Sequence, residues 1–307
     1  MENNVTTKKT YSVKDFAKIM GFEVIFDPEK EITLVTPNVN RVGLQLTGYF
    51  EYFASDRIQI VGPSEVHYLE NLRQSERDAI IDGFFENQFP CVVFSRGLKV
   101  DEAFLRNAAL HQVAIFRSQL STSELISDIV ENLKDMLAQT VQLHGVLMDI
   151  DGVGVFIEGE SGIGKSEIAL ELLRRRHRIV ADDIVVIKRI GNVLEGSANE
   201  RVKHFMELRG VGLVNVVRLY GVEAIKLTQQ IELIINLENW DDNKTYERLG
   251  GEEEKQNILG VDVLKMTVPV SPGRNIAVVI EAAASVYRLK MMGYNALDEL
   301  TERLLNN

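Results

Sequence analysis

The chain has 307 residues, 45% of them apolar, and a formal net charge of −11. That length suits two domains with ordinary hydrophobic cores, and the acidic balance argues against nucleic acid or an anionic membrane as partner. A single cysteine, Cys91, rules out an intrachain disulfide and fits a reducing compartment.

Residues 1–10 contain no apolar signal core, and no run approaches the ~18 apolar residues of a membrane span. A cytoplasmic protein is expected. The spacing predicts a helix over 12–20, capped by Ser12, with Phe16, Ile19 and Met20 on one face. A strand is expected over 32–36. A second helix spans 75–87, with Ser75 as its cap and Ala79, Ile80, Phe84 and Phe85 at helical spacing. Short apolar runs at 91–94 and 113–116 flank a helix over 101–109, the order of a small parallel sheet. Cys91, inside the first run, reads as a small buried hydrophobe. Ser121 and Glu124 have capping-box spacing ahead of a stripe formed by Leu125, Ile129, Leu133, Met136 and Leu137. The domain boundary is placed at this helix, giving domains 1–133 and 134–307.

The second domain opens with an extended run, 141–150, interrupted at His144 and Gly145. A strand over 153–158 leads into Gly159-Glu160-Ser161-Gly162-Ile163-Gly164-Lys165-Ser166, which matches the phosphate-binding pattern G-x-x-x-x-G-K-[ST]. Its glycines open backbone angles closed to other residues, so successive N–H groups point at phosphate oxygens. The helix that follows turns its positive end to the same anion. Lys165 is suited to the β- and γ-phosphates and the Ser166 hydroxyl to Mg²⁺. The basic run 174–177 complements the helix C-terminus.

A phosphate cradle needs a proton acceptor and charge neutralisation before it transfers a phosphoryl group. The strand 178–183 ends in Asp182 and Asp183. In a parallel sheet that end lies at the same edge as the loop, where two adjacent carboxylates repel one another and the nucleotide unless compensated. By position alone, His144 fits a core histidine, and Glu207 and Arg248 fit solvated surface charges. The acidic stretch 250–256 reads as a solvated loop. A helical stripe of Ile276, Val279, Ile280, Ala283 and Tyr287 follows, and Asn295 is placed to cap a last helix ending in Leu304 and Leu305.

Residues 144–155, the loop 159–166 and residues 177–183 stand in the order seen in the bacterial HPr kinase/phosphorylase family, which this chain resembles. The run Glu207-Leu-Arg-Gly-Val-Gly-Leu-Val-Asn-Val is similar to that family's signature, and 236–241, 246–250 and 268–275 match further motifs. The N-terminal part agrees in length and order with weaker motifs. The resemblance implies an α/β fold: a small N-terminal α/β domain, expected to be regulatory, and a C-terminal P-loop kinase domain similar to the phosphoenolpyruvate carboxykinase core. It implies a homohexamer that phosphorylates a regulatory serine of the phosphocarrier HPr with ATP or pyrophosphate, in control of sugar uptake and carbon catabolite repression. It also implies the reverse activity, phosphorolysis by inorganic phosphate with release of pyrophosphate.

By the same resemblance Asp183 is the base for the serine and the acid in reverse, beside Asp182. Lys165 holds phosphates, Ser166 and Glu207 ligate Mg²⁺, and His144 and Arg248 are further catalytic positions. Pro269, Val270, Ser271, Pro272, Gly273 and Arg274 form the segment tied to dephosphorylation, and the C-terminal helices bind HPr and neighbouring subunits. One departure stands out: position 271 carries serine where the family pattern carries a basic residue. An altered phosphate requirement in phosphorolysis is therefore expected. From the residues alone, a P-loop kinase or ATPase for a small molecule and a non-catalytic nucleotide sensor are the competing functions.

Overall fold

The computed structural model describes residues 10–242, 244, 254–271 and 273–305. The described residues divide into two units, 10–138 and 139–305. In the first, a five-stranded sheet runs in the order Glu23–Phe26, Ala114–Arg117, Cys91–Phe94, Ile58–Val61, Val39–Arg41. The last four strands are parallel, and Glu23–Phe26 joins antiparallel at one edge. Alternate residues of each strand enter opposite cores, as the period of two requires. Val92, Phe94 and Ile115 pack under helices Gln74–Phe85 and Glu102–His111. Cys91, Val93, Ala114 and Phe116 pack under helices Val13–Ile19 and Thr122–Met136. Cys91 is buried, and burial pushes its thiol above the usual range, as suits a packing residue.

Several local expectations shift. Helix Val13–Ile19 buries Val13, Phe16 and Ala17, while Ile19 is exposed, because its short axis turns a different face to the sheet. Ser12 occupies the cap position without a side-chain bond. The second helix begins at Gln74, and the Glu76 carboxylate accepts from the Arg73 amide, so Ser75 is inside the helix and is not its cap. Ala79 is exposed and Ile81 takes the buried place beside Phe84 and Phe85. The expected strand over 32–36 shrinks to Thr33–Leu34, paired with Tyr11–Ser12. The Ser121–Glu124 capping box forms in both directions, at 3.4 and 3.1 Å.

The second unit layers a four-stranded antiparallel sheet on a six-stranded mixed sheet, with helices on the far side. The six-stranded sheet has the order Arg178–Ala181, Val146–Ile150, Val153–Gly159, Leu233–Asn239, Val261–Val270, Glu254–Ile258. Its central strands, Val146–Ile150, Val153–Gly159 and Leu233–Asn239, are mostly buried on both faces. Val155, Ile157, Leu233 and Ile235 meet helices Lys165–Arg174 and Ile276–Met291. Phe156 and Ile234 point to the other side, against Val185, Ile187 and Leu194 of the four-stranded sheet. Gly145 lets the chain cross from one sheet to the other: a Cβ there would lie 2.6 Å from the Ile157 carbonyl oxygen. Residues 254–256 belong to the edge strand and not to a loop; 250–253 lie outside the described residues.

The sheet is mixed, not parallel as expected. Val146–Ile150 lies antiparallel between Arg178–Ala181 and Val153–Gly159. Two reversals restore direction, so Arg178–Ala181 still points its C-terminal end to the edge where the P-loop begins. Leu233–Asn239 and Val261–Val270 are parallel to Val153–Gly159 and end at that edge too.

Asp149 pins this arrangement. Its buried carboxylate accepts from Arg178 Nη2 at 2.6 Å, Lys226 Nζ at 2.8 Å and the Gly152 amide at 2.8 Å. Burial alone would raise its pKa. The bonds from Lys226 and Gly152 and the charges of Lys226 and Arg178 outweigh burial and hold it below the usual carboxylate range. A depressed pKa means stability present above the unfolded value and lost as pH falls through the folded one. Asp149→Ala is expected to cost about 3 kcal/mol in urea unfolding at pH 7, with the deficit shrinking below about pH 4.

Candidate active site

The glycine loop leaves strand Val153–Gly159 and enters helix Lys165–Arg174. Gly159, Gly162 and Gly164 have φ of 150°, 89° and 100°, in the region that favours glycine. Lys165 folds its ammonium back onto the loop, donating to the carbonyls of Gly159 and Glu160, both at 2.9 Å. Ser166 is in the first turn, where helix-dipole charge is positive.

Asp182 and Asp183 sit in sharply different places. Asp182 is buried, and its carboxylate accepts from Ser166 Oγ at 3.0 and 3.2 Å and from the Glu207 amide at 3.3 Å. Burial raises its pKa to about 6; the bonds from Ser166 and Glu207 oppose the rise and the neighbouring Asp183 charge adds to it. Asp183 is exposed. The Ile184 amide donates to the Asp182 carbonyl at 2.9 Å, closing a γ-turn whose central residue, Asp183, has φ of 67°. Such a conformation is uncommon outside glycine, and the Gly145 amide holds it by donating to the Asp183 carbonyl at 3.0 Å.

His144 ends strand Thr140–His144 and pairs in register with Ile184, which sets it beside the turn. Its Nδ1 is 3.5 Å from Asp183 Oδ1, and the two side chains are 81% and 75% exposed. It is therefore not a core histidine. Glu207 lies on the hairpin of Phe205–Leu208 and Gly212–Asn215, with its side chain exposed and its amide bound to Asp182. One residue beyond the expected set joins them: the Arg209 guanidinium lies against Gly162 of the loop. Its place in the run that begins at Glu207 was the only sequence signal for it.

Pro269 and Val270 close strand Val261–Val270 at the same edge. The Arg274 amide donates to the Ser271 carbonyl at 3.2 Å, and Gly273 has φ of 83°, so the segment turns back into helix Ile276–Met291. Gly273, Arg274 and Asn275 line a groove of about 370 Å³ with Glu167, Ile168 and Glu171 of the P-loop helix. Arg248 and Pro272 lie outside the described residues.

The donor set suits Mg²⁺. Among the described residues no group of three or more His, Cys, Asp and Glu side chains forms a metal cage. Mg²⁺ is ordinarily held by one or two carboxylates together with substrate phosphates, so no cage is required. Ser166 opens the helix after the loop, and the Glu207 backbone is tied to the same buried carboxylate, Asp182.

The raised pKa of Asp182 has a measurable sign. The folded state binds this proton more tightly than the unfolded chain, so its ionisation costs stability as pH rises from about 4 through about 6. In metal-free protein, Asp182→Asn is expected to be more stable than the parent at pH 8, by up to about 2 kcal/mol, and indistinguishable at pH 4. Urea titrations at the two pH values measure this; a difference independent of pH contradicts it.

Residues 11–133 match the family model described as HPr Serine kinase N terminus, and residues 135–304 match HPr Serine kinase C-terminal domain. The HPr kinase/phosphorylase of Alkaliphilus metalliredigens is 47% identical over 301 residues, 97% of each chain. That of Lachnoclostridium phytofermentans is 47% identical over 90% of each. The solved structure of the Hpr(Ser) kinase/phosphatase from Coxiella burnetii is 33% identical and covers 52% of this chain and 97% of its own, with a TM-score of 0.47. Matched by family models along both halves and by a relative of nearly equal length, the chain belongs to the HPr serine kinase family.

Proposed function

We propose that this enzyme phosphorylates a serine of HPr and removes that phosphate again, by phosphorolysis, on one P-loop site. The observation that carries the reading is Asp183. It is a solvent-exposed carboxylate, held in a strained turn at the sheet edge where the P-loop begins. An exposed base is open to a serine carried on another protein, and the relatives named HPr kinase/phosphorylase supply the identity of that protein.

In the forward direction the loop amides and Lys165 hold the ATP phosphates, and Asp183 takes the proton of the serine hydroxyl as its oxygen attacks the γ-phosphorus. His144, 3.5 Å from the same carboxylate, orients and polarises it. In reverse, inorganic phosphate attacks the phosphoserine phosphorus, Asp183 returns the proton to the leaving serine oxygen, and pyrophosphate departs. A single carboxylate serves both because each reaction moves a phosphoryl group between the serine oxygen and a phosphate oxygen held in the loop, phosphorolysis being the microscopic reverse of the pyrophosphate-driven transfer. Pyrophosphate also replaces ATP as donor. Mg²⁺, when bound to Ser166 and Glu207, neutralises charge on the phosphates. Asp182 stays buried and holds Ser166 in place. Arg248 adds positive charge, and the segment 269–274 serves the reverse reaction.

The enzyme acts in the cytoplasm as a homohexamer. Helix Ala296–Leu305 buries none of its residues and exposes Leu300, Leu304 and Leu305, which supports a contact surface for other chains at the C-terminus. The first unit contributes none of the candidate residues, which supports a regulatory role for it.

Two measurements test this reading. With ATP, Mg²⁺ and HPr, Asp183→Asn is expected to lose about a thousandfold in transfer and in phosphorolysis while nucleotide binding persists. Transfer to a small molecule instead of HPr, or unimpaired turnover by the variant, would overturn it. Ser271→Arg adds a cation near the reverse site and is expected to lower the phosphate concentration that half-saturates pyrophosphate release; an unchanged curve removes any role for the serine.

A further inference from the structure

A closed ring of polar side chains stands at the root of the phosphate loop. Glu158 immediately precedes Gly159, the first residue of the loop. Its carboxylate pairs with the Lys265 ammonium at 2.8 Å. Lys265 also donates to Gln256 Oε1 at 2.9 Å, and Gln256 Nε2 donates to the other Glu158 oxygen at 3.2 Å. The ring spans four neighbouring strands. Glu158 lies on Val153–Gly159, Lys265 on Val261–Val270 and Gln256 on the edge strand Glu254–Ile258, and the lysine stem crosses Leu233–Asn239 in between. By strand alternation Glu158 shares the face of Phe156, and Lys265 that of Val263, so the ring lies on the face away from the P-loop helix.

Both charges are largely shielded: the Lys265 side chain is 18% exposed and that of Glu158 19%. Glu254 stands directly opposite Lys265 in the register and is exposed. A directly opposite residue is ordinarily the near partner. The ammonium nevertheless takes Glu158 and Gln256 as its acceptors. Holding the sheet does not require this pair. Leu233–Asn239 is already paired with both flanking strands, and a desolvated ion pair adds little net stability over apolar residues of similar volume. What the pair has is position. A unit charge at the root of the loop acts on a bound phosphate with little water to weaken it. Glu158 alone repels the phosphates, and Lys265 alone attracts them.

We propose that Glu158 and Lys265 set the affinity of the loop for phosphate compounds: the lysine attracts them, the carboxylate opposes it, and the balance holds binding below its maximum. The pair acts through its field on the bound phosphates and takes no proton. Gln256 fixes the two charges against each other by bonding both. A transfer that runs both ways gains from such a balance, because nucleotide, pyrophosphate and inorganic phosphate must each leave the same cradle. Uniformly tighter binding would slow their release without speeding the chemistry. The assignment deepens the function proposed above and rests on the loop as a phosphate cradle.

The two charges enter with opposite signs, and this separates the proposal from plain packing. The full-length parent, Lys265→Met, Glu158→Gln and the double variant are titrated by calorimetry with ATP and with pyrophosphate, each with Mg²⁺, at about pH 8, where a free glutamate is ionised. Lys265→Met is expected to raise both Kd values about tenfold, the effect of one charge across roughly 10 Å at an effective dielectric of about 20. Glu158→Gln is expected to lower both by about the same factor, and the double variant to return within about threefold of the parent. Weaker binding in both single variants, with a lowered Tm, overturns the proposal, since either loss then only loosens the sheet. Changes below about twofold in both overturn it as well. Where Lys265→Met fails to fold, Glu158→Gln decides alone: tighter binding supports the pair, and unchanged or weaker binding removes it. The readout is binding, so the two readings fail separately. If the parent and variants respond as expected while the parent makes no phosphoseryl-HPr, the function falls and the pair stands. If the parent phosphorylates HPr while the variants bind as it does, the pair falls and the function stands.

Discussion

The buried carboxylate of Asp182 is the joint on which the site depends. Putting an acidic group among apolar neighbours is costly unless hydrogen bonds replace water. Here the replacements are the Ser166 hydroxyl and the Glu207 amide, so the group that needs them fixes the P-loop helix to the hairpin. Three segments distant in sequence are thereby locked: the helix after the loop, the end of strand Arg178–Ala181, and the hairpin of Phe205–Leu208. The two donors do not cancel the cost of burial, as the pKa of about 6 records. The stability given up at neutral pH is the expected signature of a residue kept for position.

Asp183 shows what that rigidity permits. Adjacent in sequence, the two aspartates differ because the γ-turn at 182–184 sends one side chain inward and the other to solvent. Environment separates the two carboxylates, one buried and one exposed, as it separates paired carboxylates in other acid–base sites. The positive φ at Asp183 persists because the turn is held from two sides, by the Ile184 amide on one carbonyl and the Gly145 amide on the next. Gly145 itself cannot be larger without striking the Ile157 carbonyl. The crossing between the two sheets and the aim of the exposed carboxylate are therefore one constraint.

Much of this was legible in the sequence where the signal is local. The glycine loop, the strand before it and the helix after it follow from residue types that only a few backbone shapes accept. The Ser121–Glu124 box formed because both partners lie within one turn. Caps that depend on the preceding residue were less legible: Ser12 and Ser75 offered the right side chain, yet the actual entry angle was set by tertiary packing and by Glu76 reaching back to Arg73. Strand Val39–Arg41 is too short for its pattern to stand out from a loop, and Gln59 interrupts the apolar run of Ile58–Val61, unlike that of the equally short Cys91–Phe94. The edge shared by Asp182 and the P-loop was inferred from a parallel sheet that is mixed instead; the inference survived because two antiparallel steps equal none. Arg209 had no signal beyond its place in the run from Glu207, since it lies against a glycine, which offers no side chain to pair with.

The sheet edge explains why so many separate segments supply the site. Strands ending at Gly159, Ala181, Asn239 and Val270 all point the same way, and each releases its chain into a loop there. Ligand sites gather at such edges because loops diverge while the strands beneath stay fixed. An enzyme that runs one transfer in both directions gains from this layout. Microscopic reversibility assigns the same base, cradle and cations to both, so no second set of groups is needed, and the direction of net flux follows from which phosphates are bound. What distinguishes the proposed directions is the phosphate compound seated in the loop: the donor ATP in one case, and in the other inorganic phosphate, the acceptor. Selectivity between them must come from segments that border the loop without belonging to it. Pro269 and Val270 end a strand at this edge, and Gly273 and Arg274 line a groove with the P-loop helix. Under the proposed function, a change there, such as serine at position 271, would shift the preference for inorganic phosphate while leaving Asp183 and Lys165 in place.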